Sequence, residues 1–393
     1  MSVLRRISTR SLIVLVVAMV VLAVGGTAIA VAAGGGGATP PAEPLDQAIQ
    51  EALAAKAPDG VTARIEFTNK LFPSGALLGQ TGSALISGAS GRLWLTSDGR
   101  GRLELQSDAG DVQIIWNKQD VSIYDASSNT VYRATLPAHA SSDSSSGSSG
   151  QLPTLAEIDK ALADVGVHWA LSEATPTNVA GQPAYDVSAS PKHDGGLLGS
   201  LAIAWDATEG TPLRAAISAQ GSSSPVLGLT VTDISYGSVS DSDVDIAPPA
   251  DAKVVDLSAQ TNGSESGGNA TPAVTGLDAV QADADFPVVA PDSLLGLPRR
   301  DVRLVGGSDS KTVLAVYGQG LGAVVVVERK ADGGSPGGGM TSSLPTVSLD
   351  GLTAHELATQ LGTILDWEQG GVAFVLAGSV PPAAAETAAR SLG

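Results

Sequence analysis

The sequence predicts an α+β fold, in which a long, curled antiparallel sheet with two helices is followed by a smaller α+β unit. Three observations support this prediction. Short segments of alternating apolar and polar residues follow one another between residues 61 and 236, separated by Gly, Asp, Asn or Ser turns. Two segments have helical periodicity instead. A polar stretch at 258–276 then precedes a second group of strand and helix patterns.

The bulk composition limits the classes of function. The chain has 393 residues, 43% of them hydrophobic and 16% charged, which is typical of a globular chain with room for two domains. Its formal net charge of −18 and its low aromatic content of 4% argue against a nucleic-acid partner. The chain has no cysteine, which excludes disulfides, a Cys nucleophile and a lipid-modified N-terminal Cys.

The N-terminus predicts export from the cytoplasm. A basic segment with three arginines precedes the uncharged apolar run Leu12–Ala33. Small-x-small sequences near the end of this run fit signal cleavage, but the run also has the roughly 20 residues that cross a bilayer. Residues 1–33 are therefore either a cleaved signal peptide or a membrane anchor, and the later residues are expected outside the cytoplasm. The Gly- and Pro-rich residues 34–44 are a linker.

Residues 45–257 are predicted to form the first domain. One helix covers 45–56, and a second covers Thr154–Val165, where Thr154 and Glu157 have the spacing of a capping box. The early strands are predicted in VTARIEFTN, TGSALIS, GRLWLTSD, GRLELQSD, DVQIIWN, QDVSIYD and TVYRATL. Further strands follow the second helix, and the Ser-rich residues 139–151 are predicted to be a flexible loop.

Alternation along these strands defines one apolar face. In GSLAIAWDATEGTPLRAAI, a turn at DATEGTP joins two strands whose apolar residues recur at every second position. A twisted sheet of this length must curl, and it turns its more apolar face inward. The residues predicted to line the concave side, as candidates for ligand binding, are Leu103, Leu105, Ile114, Ile123, Leu201, Ile203, Trp205, Ile217 and Leu229.

The linker 258–276 is predicted to lead into a small α+β domain, 277–393. DVRLVGG, TVLAVYG and LGAVVVVERK predict strands, and TILDWEQGGVAFVLAG predicts a hairpin. GLTAHELATQLG is predicted to be a helix, and SVPPAAAETAARSL a C-terminal helix with Ser379 as its N-cap.

Motifs for catalysis are incomplete. HELAT at His355 resembles the start of a zinc-protease helix, but Thr359 stands where the second His is required. GQGLG at 318–322 is followed by a strand rather than a helix, which favours a hairpin turn over a phosphate site. Ser308 and Lys311 have the spacing of a nucleophile pair but lie in a turn. We therefore expect no enzyme activity.

Two charged segments are interpreted as surface segments rather than as functional sites. Lys192–Asp194 is predicted to be a solvated loop. Ser240–Asp245 lacks the Gly and the distal Glu of a calcium loop. Neither a metal site nor a cofactor is predicted.

The pattern VAGQPAYDVSASPKHDGGLLGSLAIAWDATEGTPLRAAI resembles the LolA/RseB-type superfamily of periplasmic lipoprotein carriers and lipid-sensing regulators of anti-sigma factors. FPVVAP, VYGQGLGAVVVVE and LDWEQGGVAFVLAG are similar to the small domain that follows the half-barrel in some exported bacterial regulators. The resemblance implies an open half-barrel covered by helices, with a hydrophobic cavity. No functional residue matches the family one to one, and the chain lacks the lipobox Cys.

The function predicted from these observations is a membrane-associated, extracytoplasmic binding protein. Its half-barrel would take a hydrophobic or acylated ligand, such as a lipid or lipoprotein acyl chain. Two alternatives stay open. In the first, the aliphatic stripes are core residues that only the two helices cover, and there is no ligand cavity. In the second, the protein is a sensory or regulatory protein of the cell envelope that acts on an anti-sigma or other envelope partner.

Overall fold

The chain has the predicted α+β fold, with two separate β-sheets. A computed structural model describes residues 37–71, 84–117, 119–135, 153–256, 274–306, 311–331 and 344–392. The predicted anchor Leu12–Ala33 and the predicted loop 139–151 lie outside these residues. Within the described ranges, no helix is both long and apolar enough to cross a membrane.

The first sheet has 13 strands among the described residues, in the order β13-β6-β5-β4-β3-β2-β1-β12-β11-β10-β9-β7, with β8 also pairing with β9. The strands are β1 Gly60–Asn69, β2 Ala89–Thr96, β3 Gly101–Gln106, β4 Val112–Trp116, β5 Asp120–Asp125, β6 Thr130–Thr135, β7 Trp169–Leu171, β8 Thr175–Val179, β9 Gln182–Pro191, β10 Leu198–Asp206, β11 Pro212–Ala219, β12 Pro225–Tyr236 and β13 Lys253–Asp256. All neighbours are antiparallel except β13 and β6. The sheet curls without closing, because β13 and β7 end the order at opposite edges.

Four helices accompany this sheet in the part of the chain that the structure describes. They are α1 Leu45–Ala54, α2 Ala84–Ser87, α3 Leu155–Gly166 and α4 Asp241–Val244. The predicted capping box of α3 is confirmed: the Glu157 backbone N–H donates to Thr154 Oγ1 at 3.4 Å, and the Thr154 backbone N–H donates to Glu157 Oε2 at 2.8 Å.

The core of the first sheet lies on one face. Alternate residues of β1 (Val61, Ala63, Ile65 and Phe67) are all buried there, whereas Arg64 and Glu66 between them are exposed. We call the face that carries the buried residues the inner face. Its apolar character follows directly from the period-2 pattern of the sequence.

The second sheet has nine strands among the described residues, in the order β14-β16-β17-β18-β22-β21-β20-β19, with β15 also pairing with β16. Its elements are β14 Val274–Thr275, α5 Leu277–Asp283, β15 Ser293–Leu294, β16 Leu297–Val305, β17 Thr312–Tyr317, β18 Val324–Lys330, β19 Thr346–Leu349, β20 Leu352–Thr359, β21 Gly362–Gln369, β22 Val372–Gly378 and α6 Pro382–Ser391. Its separate core includes Trp367 stacked on Phe374, with ring centroids 5.0 Å apart. The predicted domain limits at 257 and 277 stay a prediction, and β14 lies inside the predicted linker.

The helix predicted for GLTAHELATQLG is wrong, because Leu352–Thr359 forms strand β20. Asp350 and Gly351 precede it with positive φ angles of 51° and 97°, the backbone of a tight hairpin turn that Asp-Gly favours. Pairing with β19 and β21 then satisfies both sides of the strand. For this segment, the Asp-Gly pair indicates the observed hairpin, whereas the weak helical spacing of the apolar residues indicates a helix that does not form. His355 accordingly lies on a strand.

Two smaller predictions also fail. In TGSALIS, Ala84–Ser87 is a single helical turn rather than a strand; an apolar run this short does not distinguish the two by periodicity. The C-terminal helix exists, but its N-cap is Pro381, with Pro382 at the first helical position. Ser379 instead accepts a hydrogen bond from the Leu197 backbone N–H at 2.9 Å and donates one to the Leu361 carbonyl at 2.8 Å.

Candidate functional site

Strand register places most of the nine predicted cavity residues on the inner face. Leu103 pairs with Ile114, which pairs with Ile123. On the other side of β1, Phe67 pairs with Leu229. Ala215 links Leu229 to Ile203 across β11 and β10. Because directly paired residues lie on the same side of an antiparallel sheet, these rows form one surface.

Seven of the nine residues belong to the protein core. Leu103, Leu105, Ile114 and Ile217 are buried in the main cluster of the first sheet. Ile123, Leu201 and Leu229 are partly buried and pack against the same cluster. These seven side chains form the apolar floor of the inner face.

Trp205 lies in a different cluster, beneath α1. Its neighbours there are Ala48 of α1 together with Tyr185 and Val187 of β9, and its ring centroid is 6.1 Å from that of Tyr185. The small side chain of Ala48 lets the helix backbone approach the two aromatic rings closely. Trp205 is therefore covered by the protein's own helix.

Ile203 differs from all the others, because it is 43% exposed. It pairs with Val187 on one side and Ala215 on the other, in the middle of strand β10. A large aliphatic residue in the interior of a sheet that faces the core side is normally covered. Ile203 belongs to none of the core clusters, although Val187, which pairs with it, is buried beneath α1, so this row of the sheet is open at Ile203 in the described part of the chain.

The two helices leave further apolar side chains exposed. Helix α1 buries Ala48, while Leu53 of its predicted apolar stripe is 49% exposed. Helix α3 buries only Ile158, while Val165 is 45% exposed and Val167, just beyond the helix, is 61% exposed. The two helices contact each other, and α3 contacts β7, which pairs with β9 next to β10. We call Leu53, Val165, Val167 and Ile203 the apolar rim.

An acidic cluster that the sequence interpretation missed lies at the β10–β11 turn. Asp206 Oδ1 accepts the backbone N–H groups of Thr208 and Glu209 at 2.8 and 3.0 Å, and Asp206 Oδ2 accepts the Tyr236 hydroxyl at 2.7 Å. Asp206 and Glu209 are both buried. The sequence does place two acids within a turn between strongly apolar strands, where burying two charges is costly. This pattern could have indicated the cluster.

Burial controls the protonation of Glu209. It raises the pKa of this carboxyl from 4.5 to about 7, and the neighbouring Asp206 carboxylate adds to the shift. Glu209 Oε2 has no hydrogen-bond partner in the described structure. The adjacent Gly210 lies against α1, since a Cβ on it would be 2.4 Å from the Ala52 carbonyl oxygen. The cluster is therefore next to the end of the helix that covers Trp205.

Two grooves lie outside the inner-face floor. One, of about 430 Å³, is lined by the start of β2 and the end of β1, including Glu66, Thr68 and Ser90. The other, of about 530 Å³, lies where the two sheets meet. No set of three or more His, Cys, Asp or Glu side chains in the described ranges is placed to hold a metal ion.

Comparisons with known proteins find solved structures of low sequence identity and low TM-score. No protein-family model matches the chain, and no curated protein matches it. Among solved structures it is similar to MucB in complex with MucA(peri), with 13% identity, a TM-score of 0.42, and coverage of 88% of this chain and 96% of that one.

Two further solved structures cover about half of the chain. An uncharacterized conserved protein from Thermus thermophilus is 9% identical with a TM-score of 0.32, covering 54% of this chain and 96% of that one. A putative outer membrane lipoprotein-sorting protein domain from Vibrio parahaemolyticus is 12% identical with a TM-score of 0.23, covering 51% and 95%. All three of these TM-scores are below 0.5.

Proposed function

We propose that this protein is an extracytoplasmic, membrane-associated binding protein that takes an acyl chain of a lipid or lipoprotein on the inner face of its first sheet. The observation that carries the proposal is the exposure of Ile203, 43%, in a row of paired residues whose larger aliphatic members, Val187 and Leu229, are buried or partly buried. An aliphatic side chain left open at this position would offer a contact to an apolar ligand, which would remove its surface from water.

The apolar rim supports an entry route beside the helices. Leu53 and Val165 belong to two helices that contact each other, and Ile203 belongs to the sheet below them. An acyl chain lying along these side chains would cover surface that now faces water. Each buried CH₂ contributes about 0.8 kcal/mol, so a chain of modest length binds without polar contacts.

Membrane association is proposed from the sequence alone. The apolar run Leu12–Ala33 would hold the binding domain near the bilayer, from which an acyl ligand is drawn. The alternative role, in which the protein acts on an anti-sigma or other envelope partner, stays a prediction. No contact among the described residues favours it over ligand binding.

The test uses cis-parinaric acid, a fluorescent fatty acid whose emission rises in an apolar site. Ile203→Asp places a carboxylate in the proposed site, so we expect affinity to fall at least about tenfold. Val254→Asp is the matched control, because Val254 is 53% exposed on β13 at the far edge of the same sheet. Equal affinity for the two variants, both with wild-type circular dichroism, would contradict the proposal.

A further inference from the structure

The two sheets are joined through the loop that follows β9. The Gly322 backbone N–H donates to the Asp194 carbonyl at 2.7 Å, and Gln319 Nε2 donates to Asp194 Oδ2 at 2.8 Å. A third bond runs from the Leu197 backbone N–H to Ser379 Oγ at 2.9 Å. This loop therefore holds the segments just before β18 and just after β22 against the first sheet.

Close packing at this junction leaves no room for a side chain at Gly196. Gly196 has a φ of +59°, and a Cβ on it would lie 2.5 Å from Ser379 Cβ. A side chain at this position would thus meet both backbone strain and a clash. These contacts fix the arrangement of the two sheets at the junction.

The groove of about 530 Å³ lies directly beside this junction and has walls from both sheets. Its apolar surface comes from Leu198 of the first sheet and from Leu295, Leu297, Val380 and Ala384 of the second. The volume is within the range of small-ligand sites, which occur preferentially where two structural units meet.

The residues that line the groove include one cation, Lys192, and one acid, Asp194. Lys192 and His193 line its first-sheet wall and are exposed, and the His168 ring lies edge-on to His193 with centroids 5.8 Å apart. The Lys192 ammonium also donates to the Gly166 carbonyl, which holds it in place. The acid that lines the groove, Asp194, already accepts the Gln319 amide.

We propose that this groove is a second binding site, for a small amphipathic anion with a carboxylate-type head and a short apolar body. The head lies at Lys192, where a charge-assisted hydrogen bond can form, beside the exposed ring of His193. The apolar body lies against Leu297 and Val380. This site is distinct from the inner face and does not depend on the function proposed above.

A ligand in this groove would touch both sheets at once. A ligand that binds only when the two sheets are held together at this junction stabilises that arrangement by mass action. The groove therefore links the occupancy of a small ligand to the alignment of the second sheet with the first.

The test uses decanoate that carries a photoreactive diazirine on its chain, with the corresponding decanol as a matched uncharged probe. Cross-linked peptides are identified by mass spectrometry. We expect decanoate to label segments 191–198 and 379–384, and Leu297→Asp to remove this labelling. Ile203→Asp should leave it unchanged, since Ile203 lies outside the groove.

Charge recognition is tested separately with Lys192→Gln, which keeps a hydrogen-bond donor but removes the charge. We expect decanoate affinity to fall several-fold and decanol affinity to stay the same. Lys253→Gln, at the far edge of the first sheet, is the control and should change neither. The proposal is overturned if labelling is confined to the inner face, or if Lys192→Gln binds decanoate as tightly as the wild-type protein does.

Discussion

The Tyr236 hydroxyl donates a 2.7 Å hydrogen bond to the Asp206 carboxylate, and this pair joins the end of β12 to the β10–β11 turn. Asp206 is fully buried and receives two backbone N–H groups as well, so its charge is well compensated. Glu209, three residues further on, is buried beside it without such compensation. Of the two acids in this turn, Glu209 is the one whose pKa burial raises, to about 7.

Glu209→Gln should stabilise the protein at alkaline pH. The folded-state pKa of Glu209, about 7, is raised from 4.5, so the folded protein holds the proton more tightly than the unfolded chain does. This contribution to stability is fully present below pH 4.5 and is lost as the pH rises through 7. We expect the free energy of unfolding of the variant, relative to wild type, to be about 1–3 kcal/mol higher at pH 8 than at pH 4.5.

Thermal unfolding followed by circular dichroism at several pH values measures this difference. Glu66→Gln is the control, because Glu66 is exposed on β1. A difference between Glu209→Gln and wild type that does not vary with pH would show that folding does not raise the pKa of Glu209.

Glu328→Gln should behave in the same way in the second sheet. Glu328 is fully buried, its Oε2 accepts the Val289 backbone N–H at 2.8 Å, and its Oε1 has no partner among the described residues. Burial raises its pKa to about 7. Glutamine keeps the acceptor for Val289 and never ionises, so the variant should gain about 1–3 kcal/mol of stability relative to wild type between pH 4.5 and pH 8. Denaturant unfolding at the two pH values checks this, and a gain at pH 4.5 as large as that at pH 8 would exclude titration as the cause.

Tyr185→Phe should loosen the segment that precedes α1. The Tyr185 hydroxyl donates to the Pro41 carbonyl at 2.7 Å, and Asn178 Nδ2 donates to the Ala38 carbonyl at 3.1 Å. Loss of the first bond should cost about 1 kcal/mol, and amide hydrogen exchange should accelerate within residues 38–54. Asn178→Ala should accelerate exchange only near residue 38. Unchanged exchange in Tyr185→Phe would mean that packing on Trp205 alone holds α1.

Limited proteolysis tests the predicted domain organisation. The composition of 258–276 and of 139–151 is rich in Ser and Gly, which predicts cleavage in both segments before the sheets are cut. Mass spectrometry of the first fragments identifies the sites. First cuts inside β1–β6 or β16–β18 would place the boundary elsewhere.

The sequence was informative wherever a strand buries one face. Alternation predicted the floor formed by Leu103, Ile114 and Ile217, and the capping box predicted the start of α3. It failed at β20, where the turn residues Asp350 and Gly351 outweigh a weak helical period. Strand pairing with β19 and β21 is a tertiary contact that no single-segment pattern reports.

The exposure of Ile203 at the candidate site also could not be predicted from the sequence. The same alternation places Leu201 and Ile203 on one face, yet only Ile203 is left exposed. Leu201 packs against the main cluster, whereas Ile203 belongs to none of the core clusters, and α1 rests on Ala48 rather than on Leu53. The helical period identifies an apolar stripe but not which edge of the stripe meets the sheet.

Native mass spectrometry with a triacylated lipopeptide tests the central claim most directly. We predict a one-to-one complex for the wild-type protein and for Val254→Asp, and loss of that complex for Ile203→Asp. A lipopeptide complex that survives unchanged in a folded Ile203→Asp protein, or no complex with the wild-type protein, would contradict acyl-chain binding on the inner face.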